Sequence, residues 1–353
     1  MESASIPVRP SRSRAEVVSE FISRFGLIAI LLILPVVYGI QDLQDDGDLS
    51  RLATNLKDGL SNGAIWALIA VGYTLVYGII ELINFAHGDL FMIGSFVAYS
   101  LMGTIGLTVA TGTVGTFFGL VLILLIAMGA CGSLNVMIER VGYRPLRNAP
   151  KLAPLITAVG FSFILQNIGL LWLGGSHRGV PDLLESQKQF TTILGVPITH
   201  GDLLALVVTV PLFIFLINFI ARSRIGRAMR ATAQDPQAAR LMGISVDTTI
   251  SFTFLLGGLM AGAAGLIYAL YQTDVWFFAG FTAGLISFTA AVMGGIGNIK
   301  GAIAGGLIIG MIQQISDNRI GTEWTPAIVF AYLVLIMVFR PQGIFGEQTR
   351  EAG

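Results

Sequence analysis

The chain has 353 residues, of which 54% are hydrophobic and 12% are charged, and its mean hydropathy is +0.78. Its 21 basic and 21 acidic residues cancel to a formal net charge of zero, whereas soluble domains carry about a quarter charged residues. These figures disfavour an ordinary soluble enzyme, a disordered protein and a nucleic-acid binder, and they favour an all-α polytopic membrane protein. With one cysteine, Cys131, and three histidines without ligand spacing, no metal site is predicted.

Apolar stretches long enough to cross the hydrocarbon core, which takes ~20 residues, occur about ten times. They cover residues 22–40, 60–80, 83–104, 107–130, 152–174, 202–221, 249–271, 281–297, 299–316 and 324–340. The connection at 297–301 is very short, so one flanking segment could be half-inserted, and eight or nine full spans are also consistent with the pattern.

Basic residues concentrate in cytoplasmic loops, and this bias predicts the orientation. With ten spans and a cytoplasmic N-terminus, 16 of the 21 basic residues fall inside and five outside. We therefore expect a multi-pass membrane protein with both termini in the cytoplasm. Because no A-x-A-like site follows the first span, we interpret it as retained rather than as a cleaved signal peptide. The predicted divisions are an N-terminal extension (1–55), a membrane domain (56–346) and a cytoplasmic tail (347–353).

A polar stretch from Glu81 to Asp89 interrupts the apolar sequence. Glu81 is expected to be a solvated turn residue, whereas Gly88 can break or kink the helix there and let backbone approach closely. Charged and polar groups beside spans are rare and usually face the protein interior. The stretch is therefore either a broken segment at a pathway or gate, or a purely structural polar network. The residues concerned are Asn84, Phe85, His87, Gly88 and Asp89.

The basic loop 222–247 contains signals for a short capped helix. Asp235 is a favourable N-cap, Pro236 suits the first helical position, and Gly243 suits the position after the helix. Good helix formers lie between them, namely Gln237, Ala238, Ala239, Arg240, Leu241 and Met242. Because such a helix is too short to be stable alone in water, it needs a partner surface. That surface is either another protein or the membrane ends of this chain.

Two glycine-rich segments, 257–265 and 294–310, contain small-xxx-small spacings such as Gly258–Gly262 and Gly301–Gly305. These spacings favour close helix packing over direct ligand contact. Side chains of modest polarity that could line a pore, although each is more often a packing residue, are Trp66, Tyr73, Thr74, Phe85, Phe288 and Thr289.

Motifs for independent chemistry are missing from the sequence. There is no G-x-x-x-x-G-K-[ST] phosphate loop, no H-E-x-x-H and no G-x-S-x-G. We therefore predict neither catalytic residues nor a cofactor in this chain, and any ATP must be bound by a separate subunit.

The sequence resembles the permease subunit of bacterial ABC importers for branched-chain amino acids, the LivH type. The matching stretches are Ala67–Tyr77, Ile83–Gly94, Gly226–Gly243, Phe288–Gly310 and Arg340–Gly346. The resemblance implies an ABC importer permease fold in which Asp235–Gly243 form the coupling helix that docks on an ATPase. The N-terminal extension, with its additional first span, is longer than is typical of that family.

The same resemblance implies partners and a substrate. The partners are a second related permease, identical or different, two ABC ATPase subunits that bind ATP, and an extracytoplasmic solute-binding protein. The substrate is a branched-chain or other small neutral amino acid, with urea or a short amide as the alternative within the family. A stand-alone secondary transporter is the rival outside the family, and Asp89 is its best candidate for a driving-ion site.

Overall fold

A computed structural model describes residues 14–45, 47–108, 111–147, 149–193 and 195–346. The predicted tail (347–353) and residues 1–13 of the predicted extension lie outside these ranges. The described helices are α1 (Arg14–Asp45), α2 (Ser50–Ile80), α3 (Ala86–Ile105), α4 (Thr113–Ile138), α5 (Leu152–Leu173), α6 (His200–Arg222), α7 (Arg224–Gln234), α8 (Pro236–Leu241), α9 (Val246–Gln272), α10 (Ala279–Gly294), α11 (Ile299–Arg319) and α12 (Thr325–Phe339). A π-helical turn at Glu139–Tyr143 and a 3₁₀ turn at Arg144–Leu146 extend α4.

A helix overlaps each of the ten predicted spans. Within the described ranges, seven helices are long and apolar enough to cross a membrane: α2, α3, α4 with its extension, α5, α6, α9 and α11. The apolar helices α10 and α12 have 16 and 15 residues, about 24 Å or less at 1.5 Å per residue, against a core of ~30 Å. The polytopic membrane fold is therefore confirmed, and the count of ten stays a prediction.

Several boundaries differ from the sequence prediction. Helix α2 begins at Ser50 rather than at residue 60. The basic loop contains the eleven-residue helix α7, which was predicted as loop because its polar composition hides the apolar side it packs on the bundle. The connections between α5 and α6 and between α9 and α10, for which no strand was predicted, form two small antiparallel sheets. Their strands are β1 (Arg178–Gly179), β2 (Gln189–Ile193), β3 (Val196–Thr199) and β4 (Asp274–Val275), with β1 pairing β4 and β2 pairing β3.

Helices α2 and α9 form the centre of the bundle, and glycines bring their neighbours into backbone contact. A Cβ atom on Gly306 of α11 would lie 2.5 Å from Cα of Ala67 on α2. One on Gly262 of α9 would lie 2.8 Å from Cα of Met128 on α4. Helices approach this closely only where one surface lacks side chains, so the prediction that the glycine-rich segments serve tight packing is confirmed.

The two ends of the bundle carry different polar clusters. We call the end formed by residues 81–85, 139–151 and 222–245 the basic end, because the predicted inside loops with the most arginine and lysine lie there. At the opposite end Lys57 Nζ lies 2.6 Å from Oδ2 of Asp202. Arg319 forms an ion pair with Asp42 at that end, and both side chains are buried. This pair joins α1 to α11, so the described part of the predicted extension packs on the bundle.

Candidate functional site

The short helix α8 lies at the basic end and has the predicted caps. Oδ1 of Asp235 accepts hydrogen bonds from the backbone N–H groups of Gln237 (2.8 Å) and Ala238 (3.0 Å). Pro236 occupies the first helical position, and Gly243 has φ of +78°, a conformation that glycine adopts without strain. The helix ends at Leu241, so Met242 lies just beyond it rather than inside it as predicted.

Helix α8 presents an apolar tip at the surface of the protomer. Ala239 is buried against the bundle, whereas Leu241 is 88% exposed and Met242 is 82% exposed. The neighbouring helix α7 holds α8 in place, because its Met229 and Thr232 are buried and Ser223 caps its N-terminus through the N–H of Gly226 at 2.8 Å. Leu241 and Met242 therefore form a small exposed apolar surface at the basic end.

The polar break between α2 and α3 occupies residues 81–85. Glu81 ends α2 with φ of +52° and is exposed, and its carboxylate lies 3.2 Å from Nζ of Lys151. The prediction of a solvated turn at Glu81 is therefore confirmed. Gly88 lies within α3, so the helix does not break at this residue, but the close backbone approach that was also expected there is present. Gly88 is needed there for close approach, because a Cβ atom would lie 2.5 Å from Cα of Gly284 on α10.

Asn84 joins three helices at the basic end. Its Nδ2 donates to Oδ1 of Asn135 on α4 at 3.2 Å, and Nδ2 of Asn135 donates to the carbonyl of Phe254 on α9 at 2.7 Å. The hydroxyl of Tyr143 lies 3.2 Å from Oδ1 of Asn84 and 3.3 Å from the carbonyl of Ile83, and can donate to either. All three polar side chains are buried, so the break is held by a defined hydrogen-bond network.

His87 and Asp89 follow in the first turn of α3, and both are buried. Asn84 precedes α3, so it shares no helix face with His87. The His87 ring packs edge-on against Tyr73 with centroids 4.9 Å apart. Neither His87 ring nitrogen has a hydrogen-bond partner among the described residues.

Asp89 is part of a second polar group, shared with α5. Oδ2 of Asp89 accepts a hydrogen bond from Oγ of Ser162 at 2.5 Å, and Nε2 of Gln166 donates to the same Oγ at 3.0 Å. Oδ1 of Asp89 has no hydrogen-bond partner in the described part of the chain. Within that part, no cluster of three or more His, Cys, Asp or Glu residues could hold a metal ion.

A cavity of about 70 Å³ lies beside this group, between α5 and α10. Ser162, Gln166 and Tyr73 supply its polar atoms, and its apolar walls are Phe85, Val159, Phe163, Phe281, Leu285 and Phe288. Three predicted pathway or lining residues, Tyr73, Phe85 and Phe288, therefore meet at one cavity. Because Phe163 is 60% exposed, the cavity lies at a surface of the protomer.

The other predicted site residues do not line that cavity. Thr74 lines a smaller neighbouring one. Trp66 donates through Nε1 to Oε1 of Gln313 at 2.6 Å and packs against Phe91 and Tyr268, which ties α2 to α11. Thr289 is fully buried. Asn84, His87 and Asp89 do not line the cavity. Asp89 accepts a hydrogen bond from Ser162, His87 packs against Tyr73, and Asn84 directly precedes Phe85.

Sequence reasoning missed several members of these networks. They are Asn135, Glu139, Tyr143, Ser162 and Gln166, all of which lie in or at the ends of apolar helices. A polar side chain within a membrane segment is itself a signal of an interior role. Their partners, however, lie tens of residues away in sequence, so the constellation needed the fold.

Comparison with known proteins gives consistent matches over most of the chain. A family model described as the permease component of the branched-chain amino acid transport system matches residues 55–338. The chain is 40% identical over 301 residues to the high-affinity branched-chain amino acid transport system permease protein BraD of Pseudomonas aeruginosa, covering 84% of this chain and 96% of BraD. It is 40% identical over 303 residues to LivH of Escherichia coli K12, covering 83% and 95%.

A solved structure of PsaBC from Streptococcus pneumoniae in complex with Fab contains a chain that aligns with a TM-score of 0.45 and 13% identity. The alignment covers 88% of this chain and 98% of that one. A likeness of this size carries no argument about function.

Proposed function

The chain belongs to the family of branched-chain amino acid transport permease components, and on that premise we propose that it forms half of the pore of an ATP-driven importer in the bacterial inner membrane. The other half is a second related permease, of the same or a different sequence. Two ABC ATPase subunits supply the energy, and an extracytoplasmic solute-binding protein delivers the substrate.

The observation that carries the proposal is the capped helix α8 with its exposed Leu241 and Met242. Its caps fix its backbone, and α7 attaches it to the bundle. A helix held in this way can transmit a movement of the ATPase to the membrane helices. An apolar tip on a rigid arm suits a groove on an ATPase. The sequence has no phosphate loop of its own, and ATP binding therefore falls to that partner.

The cavity between α5 and α10 supports the assignment of the pathway. Its walls are mainly aromatic and aliphatic, with a few polar groups from Ser162, Gln166 and Tyr73. Such walls suit the side chain of leucine, isoleucine or valine, because burying apolar surface stabilises a bound ligand. Urea and short amides offer little apolar surface, so we favour the branched-chain amino acids. The second permease closes the cavity from the exposed side of α5.

The extracytoplasmic side is suited to receive a binding protein. The connection between α5 and α6 is anchored by the β1–β4 and β2–β3 pairs. Nδ1 of His200 lies 3.0 Å from the carbonyl of Leu184, and Oδ1 of Asp182 accepts from the N–H of Ser186 at 2.7 Å. We assign this ordered connection to contact with the solute-binding protein.

A stand-alone secondary transporter is the second candidate, and one observation favours it. Asp89 is a buried carboxylate beside the cavity, with one oxygen lacking a hydrogen-bond partner among the described residues. A carboxylate in that position could bind a driving cation. The requirement for ATPase subunits separates the two candidates.

Cysteine labelling tests the pathway and the partnership together. Cys131, the single cysteine of the chain, is fully buried and gives a silent background. A complex is purified through a tag on an ATPase subunit, and a Phe163→Cys variant of this chain is exposed to a water-soluble maleimide. We expect the chain to be recovered with the ATPases. We also expect the maleimide to label the Phe163→Cys variant at a rate that changes when ATP and the leucine-loaded binding protein are added.

The matched control is Phe215→Cys on α6, where the native side chain is 56% exposed, close to the 60% of Phe163. We place α6 against lipid, so this cysteine should stay unreactive. Equal labelling of both variants would remove α5 from the pathway. If this chain were not recovered with the tagged ATPase, the importer assignment would be contradicted.

A further inference from the structure

Two polar clusters, joined through the backbone of the π-helical turn after α4, connect α9, which follows α8, to the break that borders the cavity. We propose that Glu139 and Tyr143, at the two ends of the π-helical turn after α4, are positioning residues that transmit movement of α8 to residues 81–85. Neither side chain lines the cavity. The proposal rests on the importer function proposed above.

The first step runs from α8 to α9. The backbone N–H of Ile244 donates to the carbonyl of Ala239 at 3.0 Å, and Ala239 is buried. Only a few residues separate the end of α8 from the start of α9 at Val246. A displacement of α8 should therefore also displace the first turns of α9, because the connection between them is short and hydrogen-bonded.

The second step runs from α9 to the π-helical turn. Oγ of Ser251 on α9 donates to Oε2 of Glu139 at 2.7 Å and accepts from Nη2 of Arg144 at 2.6 Å. Nη2 of Arg147 donates to Oε1 of Glu139 at 2.6 Å, and Arg147 also pairs with Asp247 in the first turn of α9. The Glu139 side chain has no exposed surface. Buried, multiply bonded charge resists rearrangement, because any lost partner leaves a charge without solvation.

The third step runs from the turn to the break. The hydroxyl of Tyr143 reaches the carbonyl of Ile83 and Oδ1 of Asn84, and its ring packs 5.3 Å from that of Phe254 on α9. Phe85, the next residue after Asn84, lines the cavity and lies 6.3 Å from Phe288 across it, centroid to centroid. The network therefore ends on a residue of the cavity wall.

The π-helical geometry is a second, independent observation. Such turns are rare and are frequently found at functional sites. Here the turn spans Glu139–Tyr143, so that its first residue faces the cluster on α9 and its last reaches residues 83–84. A plain α-helical continuation would change the angle between these two side chains and break one of the two connections.

The test uses the complete complex in proteoliposomes and measures leucine taken up per ATP hydrolysed. Tyr143→Phe removes only the hydroxyl, and Glu139→Gln removes only the charge. For each variant we expect an ATPase rate close to that of the wild type and a roughly three- to tenfold lower uptake per ATP, the factor that corresponds to one lost hydrogen bond. The double variant should be no worse than the more impaired single variant, because both changes interrupt one path.

Matched controls make the same chemical changes elsewhere. Tyr332→Phe removes the hydroxyl of another buried tyrosine, and Asp42→Asn neutralises another buried carboxylate paired with arginine, at the opposite end of the bundle. Both should keep the wild-type ratio. The proposal would be overturned if Tyr143→Phe took up as much leucine per ATP as Tyr332→Phe. If the Glu139→Gln complex cannot be recovered, this comparison of the two tyrosine variants is decisive by itself. Failure of the importer function itself would be recognised by a different result, since the wild-type complex would then show no ATP-dependent uptake.

Discussion

Replacement of Leu241 and Met242 by glutamate should release the ATPase subunits from this chain. Both side chains are more than four-fifths exposed in the protomer, so their replacement removes no packing within it. In a docked complex the two carboxylates would be buried without partners, and central interface positions commonly contribute about 2 kcal/mol or more each. Because about 1.4 kcal/mol is a tenfold change in affinity, each substitution should weaken docking about 30-fold. Pull-down through a tagged ATPase measures the loss.

Leu49→Glu is the matched control. Leu49 is an exposed leucine, 44% accessible, on the predicted extracytoplasmic side of the bundle. The same change of leucine to glutamate there should leave the pull-down unchanged. If the Leu241→Glu and Met242→Glu chains were recovered with the ATPases as fully as the wild type, α8 would not be the docking element.

Substitution of Gly306 by alanine should destabilise the whole bundle. The added Cβ atom would lie 2.5 Å from Cα and 2.6 Å from Cβ of Ala67, so the backbones of α2 and α11 would have to separate. Overpacking a tight interface typically costs about 1–3 kcal/mol. The better helix propensity of alanine offsets at most about 1 kcal/mol of this. We expect a lower yield in the membrane fraction and a lower midpoint of thermal unfolding in detergent.

Gly129→Ala on α4 separates packing from propensity. A Cβ atom on Gly129 would meet no atom within 4 Å, so this variant gains helix propensity without a clash. Its unfolding midpoint should equal or slightly exceed that of the wild type. Equal midpoints for the two variants would show that α2 and α11 are not in backbone contact.

Local rules were sufficient to predict α8. A cap needs only the residue at the helix start and the amides two and three positions later, and the C-terminal glycine needs only a backbone preference. Both signals lie within ten residues of sequence, and the structure confirms them at Asp235 and Gly243. Helix α7 was missed because its polar composition lacks the sustained apolar signal by which membrane helices are recognised.

The position of the break could not be predicted, because tertiary contact decides it. Gly88 is a plausible helix breaker in isolation, but its missing side chain is used for contact with α10. The helix instead breaks before Ala86, where Asn84 finds partners on α4 and α9. No local rule indicates those partners.

The residues around the cavity were predicted only in part, for a similar reason. Tyr73, Phe85 and Phe288 come from three segments and meet at one cavity, and their residue types suggested a lining role. Trp66 and Thr289 were predicted on the same ground of modest polarity, but both side chains are buried among interior contacts. Composition indicates which side chains could line a pathway, while helix orientation selects those that do.

Leucine uptake by proteoliposomes is the most direct test of the importer assignment. The vesicles contain this chain, a second permease and the two ATPases, and the binding protein carries radiolabelled leucine on the extracytoplasmic side. We predict uptake that requires hydrolysable ATP, persists when ionophores dissipate all ion gradients, and is lost with Leu241→Glu and Met242→Glu. Uptake by this chain without ATPase subunits, driven by an ion gradient and abolished by Asp89→Asn, would contradict the assignment.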